Sequence, residues 1–151
     1  MQRIYVLSAG GTIEKVYSEQ QGSVYNRESK LDGYLKRLRM HDTDIQVTHL
    51  MNKDSLDMTS ADREKVLEAV RERLDAPIVI THGTDTMTET ARVLAGVPDK
   101  TIVFTGALAP ARFSESDATF NLGMAFATAQ AAPPGVYITI NGQVYGVRMS
   151  L

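Results

Sequence analysis

The 151-residue chain contains no cysteine. That absence excludes disulfides, thiolate metal sites and a cysteine nucleophile. Histidine is scarce as well: His41, His49 and His82 stand far apart without paired-ligand spacing, so no metal site is expected. Nor is there an excess of charge of one sign. Sixteen basic residues face eighteen acidic ones, a net charge of −2, and no run of five or more Lys/Arg occurs. Nothing in that balance points to nucleic acid or to an anionic membrane. No apolar stretch approaches membrane-spanning length, and the N-terminus lacks the basic, apolar and small-residue zones of a signal peptide. The expectation is a cytoplasmic protein whose partners are small molecules or a second copy of itself. Neither G-x-x-x-x-G-K-[ST] nor G-x-G-x-x-G occurs, which leaves nucleotide binding unsupported.

What is present is an ordinary globular composition, 43% hydrophobic and 23% charged. A chain of this length forms one domain, taken as 1–151, and buries roughly 70% of the surface its unfolded form exposes. Arg3 to Ser8 reads as a nearly continuous apolar strand with both faces covered, hence a central one. It runs into Ala9-Gly10-Gly11-Thr12, where two glycines permit a sharp turn and close approach to a ligand, and the next residue carries a hydroxyl. Thr12 is either a backbone-bonding turn residue or a candidate nucleophile. Glu14 to Ser29 shows little periodicity and reads as a long loop that could close over a site, with Tyr17 or Tyr25 reaching in, or as a surface loop with incidental tyrosines.

Leu31, Tyr34, Leu35 and Leu38 fall on one helical face ending near Met40. Ile45 to Leu50 predicts a strand broken by Met51-Asn52-Lys53-Asp54-Ser55. Thr59 with Asp62 predicts a capping box, followed by the apolar stripe Val66, Leu67, Val70 and Leu74. Pro77 to Thr81 is a β-branched strand that enters His82-Gly83-Thr84-Asp85-Thr86, with Thr84 or Asp85 as the expected cap of a helix burying Met87, Ala91 and Leu94. Thr101 to Thr105 repeats the design and ends at Gly106-Ala107. Ser114 and Asp117 predict a further cap, for a helix running to about Ala131. Pro133-Pro134-Gly135 stops it, Val136 to Ile140 is a strand, and Asn141-Gly142 turns into a returning strand, Gln143 to Val147.

Strands alternating with helices predict an α/β fold: an open, mostly parallel, doubly wound sheet with helices on both faces. In such sheets ligands bind outside the strands' carboxyl ends. Gly10-Gly11-Thr12, Asp54-Ser55, Gly83-Thr84-Asp85 and Gly106-Ala107 all fall there and can converge. They supply hydroxyls, freed backbone N–H groups and a carboxylate, a set suited to acyl transfer. Asp85 is open to two roles, a helix cap or a partner for a substrate ammonium.

These motifs resemble a known family. Gly10-Gly11-Thr12-Ile13, Asp54-Ser55 with Asp57-Met58, His82-Gly83-Thr84-Asp85-Thr86-Met87 with Glu89-Thr90-Ala91, and Thr105-Gly106-Ala107 with Asp117 and Phe120-Asn121-Leu122 are similar, in order and separation, to the N-terminal domain of the bacterial-type L-asparaginases. The resemblance implies a hydrolase that releases ammonia from asparagine or a related small amide, without metal or cofactor. It implies Thr12 as nucleophile, Tyr25 as the activating loop tyrosine, and Thr84 and Asp85 in the catalytic group. Gly11, Ser55, Thr84, Asp85 and Ala107 would bind substrate, with Ser55 on the α-carboxylate and Asp85 on the α-ammonium. The family's catalytic lysine lies a few residues beyond the arginine that Arg148 resembles, just past Leu151, and no lysine follows Lys100. The alternative expectations are therefore a truncated asparaginase or a catalytically impaired domain that binds or senses asparagine or aspartate. Lys53 or Lys15 could stand in for the lysine, or be surface residues. The family's smaller C-terminal domain has no counterpart in 1–151, and a homodimer is expected by the same resemblance.

Overall fold

A computed structural model describes residues 1–11, 13, 15–18, 23–26, 31, 35, 38–73, 75–97, 99–108 and 116–148, the side chains of 15–18 and 23–26 excepted. Its centre is a six-stranded sheet. The strands are β1 (Gln2–Gly10), β4 (Thr43–Lys53), β5 (Ile78–Thr81), β6 (Thr101–Thr105), β7 (Gly135–Ile140) and β8 (Gln143–Val147). They lie side by side in the order β4-β1-β5-β6-β7-β8. All neighbours pair in parallel except β7 and β8. β1 is an interior strand, as its apolar run predicts, because both its faces are covered.

The two faces are separated by strict alternation. In β5, Ile78 and Ile80 face one layer and Val79 the other; in β6, Ile102 and Phe104 oppose Val103. The first layer is completed by α1 (Ser60–Arg71) through Val66, Leu67 and Val70, and by α2 (Met87–Leu94) through Met87, Ala91 and Leu94. The second is completed by α3 (Ala118–Ala131) through Leu122, Ala125 and Phe126, joined by the helical residues Leu31 and Leu35. Each fully buried Ile, Val or Leu contributes about 1.5–3 kcal/mol of hydrophobic stabilisation. The doubly wound reading is thus the observed architecture. No helix among the described residues is long and apolar enough to cross a membrane.

Local signals hold where their partners are close in sequence. Thr59 and Asp62 form both legs of the capping box on α1. Lys53 and the Thr59 backbone N–H hold the Asp62 carboxyl below its ordinary range. Asn141 and Gly142 adopt φ of 52° and 80°, as a two-residue hairpin turn requires.

Four expectations are corrected. The 14–29 stretch contains an antiparallel pair, β2 (Lys15–Ser18) and β3 (Ser23–Asn26), with Val16 opposite Tyr25. Each strand is too short to show periodicity, and pairing supplies the order. β4 does not break at Met51 but continues to Lys53, because Lys53 pairs with Gly10 after a register shift that takes up two extra residues of β4 between His49 and Lys53. α2 starts at Met87 with Thr86 as its cap residue, not at Thr84 or Asp85, and it has no side-chain cap bond. α3 starts at Ala118 with Asp117 as its cap residue, but Asp117 makes no side-chain cap bond; Ser114 and Leu74, like Tyr34, lie outside the described residues.

Candidate functional site

The loop order places three strand ends together. Chain order departs from spatial order at β1, since β4 lies on one side of it and β5 on the other. This topological switch point opens a crevice at the carboxyl ends. Residues Gly11, Asp54, Ser55, Leu56, Asp57, Gly83, Thr84 and Asp85 line a cleft of about 200 Å³ there.

Glycine makes the convergence possible. Gly11 has φ of 91°, and a Cβ on it would sit 2.5 Å from the Gly83 backbone nitrogen. A Cβ on Gly83 would lie 2.8 Å from the Ser55 Cβ and Oγ. The loops after β1 and β5 therefore meet backbone to backbone, and the Ser55 side chain of the loop after β4 packs on Gly83, at distances a side chain on either glycine would not permit. The Gly11 N–H donates to the Lys53 carbonyl at 3.1 Å, which ties the end of β1 to that of β4.

Ser55 opens a single 3₁₀ turn, Ser55–Asp57, and is buried. Thr86 anchors it twice: its N–H donates to Ser55 Oγ at 3.2 Å, and its hydroxyl donates to the Ser55 carbonyl at 2.8 Å. These two bonds explain why the helix begins late. Thr86 is engaged by the opposite loop and does not wind Thr84 and Asp85 into α2. Asp85 stays exposed at the cleft and Thr84 half-buried. Among the described residues the lining holds three carboxylates, Asp54, Asp57 and Asp85, and no lysine, arginine or histidine. Such a lining favours a ligand that brings a cationic group.

Behind the cleft stands a buried polar frame. His82 is 1% exposed, and its ring meets Phe104 edge-on at 5.9 Å. Its Nδ1 lies 2.7 Å from the Gly83 carbonyl, and its Nε2 lies 2.8 Å from Thr90 Oγ1. A carbonyl only accepts, so Nδ1 carries the proton. Burial first, and the Arg63 charge in addition, push the imidazole pKa below its usual 6.5 against the opposing effect of the Gly83 carbonyl. The neutral ring then accepts the Thr90 hydroxyl proton at Nε2. Arg63 supplies the other contacts. Its Nε donates to Thr90 Oγ1 at 3.1 Å, its Nη2 to Thr86 Oγ1 at 3.0 Å and its Nη1 to the Met58 carbonyl at 3.3 Å.

The expected site residues thus separate into groups. Gly11, Ser55, Thr84 and Asp85 come together in the cleft. Thr12 lies outside the described residues, between Gly11 at the cleft and the buried Ile13. Tyr25 is placed only as a backbone position in β3, and its side chain lies outside the described set, as does that of Lys15. Ala107 is buried in the second layer and is not among the residues lining the cleft. Lys53 does not face the cleft as a spare lysine: its ammonium is bound at 2.9 Å to Asp62 of the capping box. A larger groove of about 480 Å³, between α2 and β7–β8, shares only Thr84 with the cleft and lacks the glycine loops and the carboxylates.

The bonds of Arg63 to Thr86 and Thr90 and of Thr86 to Ser55 escape a sequence reading because their partners lie 23 to 31 positions apart. Asp117 is legible only as a cap. Its carboxylate instead accepts the Leu108 N–H at 3.0 Å and the Asn121 amide at 3.1 Å, securing the loop after β6.

Comparison with known proteins agrees with this geometry. The family model described as Asparaginase, N-terminal matches residues 3–150. The L-asparaginase of Thermococcus kodakarensis is 31% identical over 157 residues, covering 98% of this chain and 47% of that protein. L-asparaginase 1 of Escherichia coli is 34% identical over 153 residues, 94% of this chain and 45% of that protein. The solved structure of the thermostable L-asparaginase from Thermococcus kodakarensis superposes with a TM-score of 0.85 at 30% identity, over 95% of this chain and 45% of its own. The chain spans less than half the length of these relatives. With the fold, the order of motifs and the family match in agreement, this chain belongs to the asparaginase family.

Proposed function

We propose that this domain carries the amide-hydrolysing site of an asparaginase-like enzyme, which releases ammonia from asparagine or a related small amide. One observation carries the reading: Gly11, Ser55, Thr84 and Asp85, from three separate loops, line one cleft, and Thr12 follows Gly11 directly. In this reading Asp85 holds the substrate α-ammonium, a charge-assisted bond worth about 1.5–3 kcal/mol. Ser55 accepts the Thr86 N–H through its oxygen, and its own proton can be donated to the α-carboxylate.

In this reading the Thr12 hydroxyl attacks the amide carbon while its proton passes through the Tyr25 hydroxyl to the catalytic group of Thr84 and Asp85, whose carboxylate can accept it. Backbone N–H donors hold the oxyanion that forms. The C–N bond then breaks, the nitrogen takes the proton and leaves as ammonia, and an ester to Thr12 remains. Water cleaves that ester and returns the proton to Thr12. We infer in addition a homodimer, checked by sedimentation.

The test is ammonia release from L-asparagine, D-asparagine and L-glutamine by wild type and Thr12→Ala, with L-aspartate binding measured by calorimetry on both. The expected result is turnover that falls at least about 10³-fold in Thr12→Ala while binding persists. Binding without turnover by wild type would make this a binding or sensing domain. Neither binding nor turnover would overturn the assignment of the cleft.

A further inference from the structure

We propose that Arg63 is a positioning residue for the cleft, holding the Ser55 turn and the Gly83–Asp85 loop in register through Thr86 and Thr90. The inference rests on reading the cleft as the substrate site, but its structural core can be tested apart from that reading.

Arg63 sits in the first turns of α1, and its side chain is only 12% exposed. Its guanidinium reaches the three structures that frame the cleft. Nη1 donates to the carbonyl of Met58, which closes the Ser55 turn. Nη2 donates to the Thr86 hydroxyl, whose proton is given to the Ser55 carbonyl. Nε donates to the Thr90 hydroxyl, whose proton is given to His82, and His82 in turn holds the Gly83 carbonyl. Two relays of the same form therefore leave one planar group, and each ends on a backbone carbonyl of a cleft loop.

The directions of the bonds are fully determined. Arginine only donates, so each threonine oxygen accepts from it and has one proton left to pass on. A lysine would bring the same charge but a single nitrogen, unable to reach partners on two sides of a plane. Glu89 lies 3.3 Å from Nη2, but its side chain is 62% exposed, so it balances charge at the rim and does not fix geometry. The Ser55 and Asp85 side chains, the two groups read as the amino-acid clamp, thus take their spacing from a residue that contacts neither of them.

The experiment compares Arg63→Gln, Thr86→Val, Thr86→Ser and the double variant Arg63→Gln/Thr86→Val. The readouts are L-aspartate binding, the KM and kcat for L-asparagine, and hydrogen exchange of the Thr86 amide. Arg63→Gln and Thr86→Val should each raise the Kd and the KM at least about 10-fold, with a smaller change in kcat. The double variant should be no worse than the poorer single one, because both break the same relay. Thr86→Ser, which keeps the hydroxyl, should restore wild-type Kd. Thr86 amide exchange should be at least about 10-fold faster in Arg63→Gln. If Arg63→Gln lowers only Tm and leaves both Kd and exchange at wild-type values, Arg63 is structural and the proposal fails. Thr86→Val is nearly isosteric, so it decides the matter should Arg63→Gln not fold. If wild type binds no L-aspartate, the reading of the cleft fails, and Thr86 exchange still decides the positioning role.

Discussion

The two ends of the central sheet use charge in opposite ways. At the amino end, Arg3 bridges Asp44 at 3.5 Å and Asp75 at 3.3 Å, and the Tyr5 hydroxyl donates to Asp75 at 2.8 Å. Arg3 and Arg73 both lie about 6 Å from the Tyr5 ring centre, and Lys100, buried at the start of β6, gives its ammonium to the Ala76 carbonyl at 3.0 Å. Every one of these charges has a partner of its own chain. At the carboxyl end the described lining of the cleft gathers three carboxylates and no basic side chain, and the glycines bring the loops into contact. One end pairs its charges across the strands, and the other, in the function proposed above, offers its carboxylates to a ligand. The same α/β sheet supports both because its strand ends point all its parallel loops in one direction.

The sharpest way to break this comparison is to fill the glycine contact. Gly11→Ala places a Cβ 2.5 Å from the Gly83 backbone at φ of 91°. It should destabilise by about 3 kcal/mol or more and abolish ligand binding, as read by denaturant unfolding and calorimetry. The counterpart is Gly123 in α3, where a Cβ meets nothing within 4 Å. There Gly123→Ala should stabilise by about 0.5–1 kcal/mol and leave binding unchanged. A similar loss at both positions would mean that the cleft loops are not specially packed.

Carboxylates sharpen the contrast next. Asp85→Asn should weaken L-aspartate binding about 10–100-fold with little change in Tm. Asp75→Asn should do the reverse, lowering Tm slightly and leaving affinity intact. Because the Tyr5 hydroxyl above all, and Arg3 in addition, hold the Asp75 carboxyl below its ordinary pKa, that Tm difference should be present at neutral pH and shrink on acidification through the carboxylate range. If both substitutions changed affinity, the division between the two ends would not stand.

The smallest expected effect belongs to His82. Its pKa is depressed in the fold, so below the ordinary value of 6.5 the unfolded chain binds a proton that the native one does not. Stability from this group is complete above that pH and is lost as pH falls through the window beneath it. The Tm of wild type should therefore drop between about pH 7 and 5 more than that of His82→Gln. Equal pH slopes would show that His82 is not held neutral between Gly83 and Thr90.

How much of this is legible in the sequence depends on the distance between cause and effect along the chain. The Thr59–Asp62 capping box spans four residues, the Asn141-Gly142 hairpin two, and the β-branched runs of β5 and β6 carry their own signal; all are readable. Motifs at strand ends locate the cleft because every parallel strand delivers its following loop to the same edge. Asp117 is the cap residue of α3 but makes no side-chain cap bond, and the helix start read into Thr84 or Asp85 fails, for a shared reason. Both segments have a better partner elsewhere, the Leu108 N–H in one case and Ser55 in the other. Local propensity yields when a long-range bond satisfies the same groups.

The sequence by itself determined the alternation of strands and helices, the two-sided burial of the sheet, the family and three of the four loops expected to meet in the cleft, because these follow from periodicity, turn chemistry and motif order within short windows. Only the tertiary structure decided that Lys53 is committed to Asp62, that β2 pairs with β3, and that Arg63 braces Thr86 and Thr90 behind the cleft. Those are choices among distant partners, and they are made by the geometry that brings α1, α2 and the strand ends within hydrogen-bonding reach.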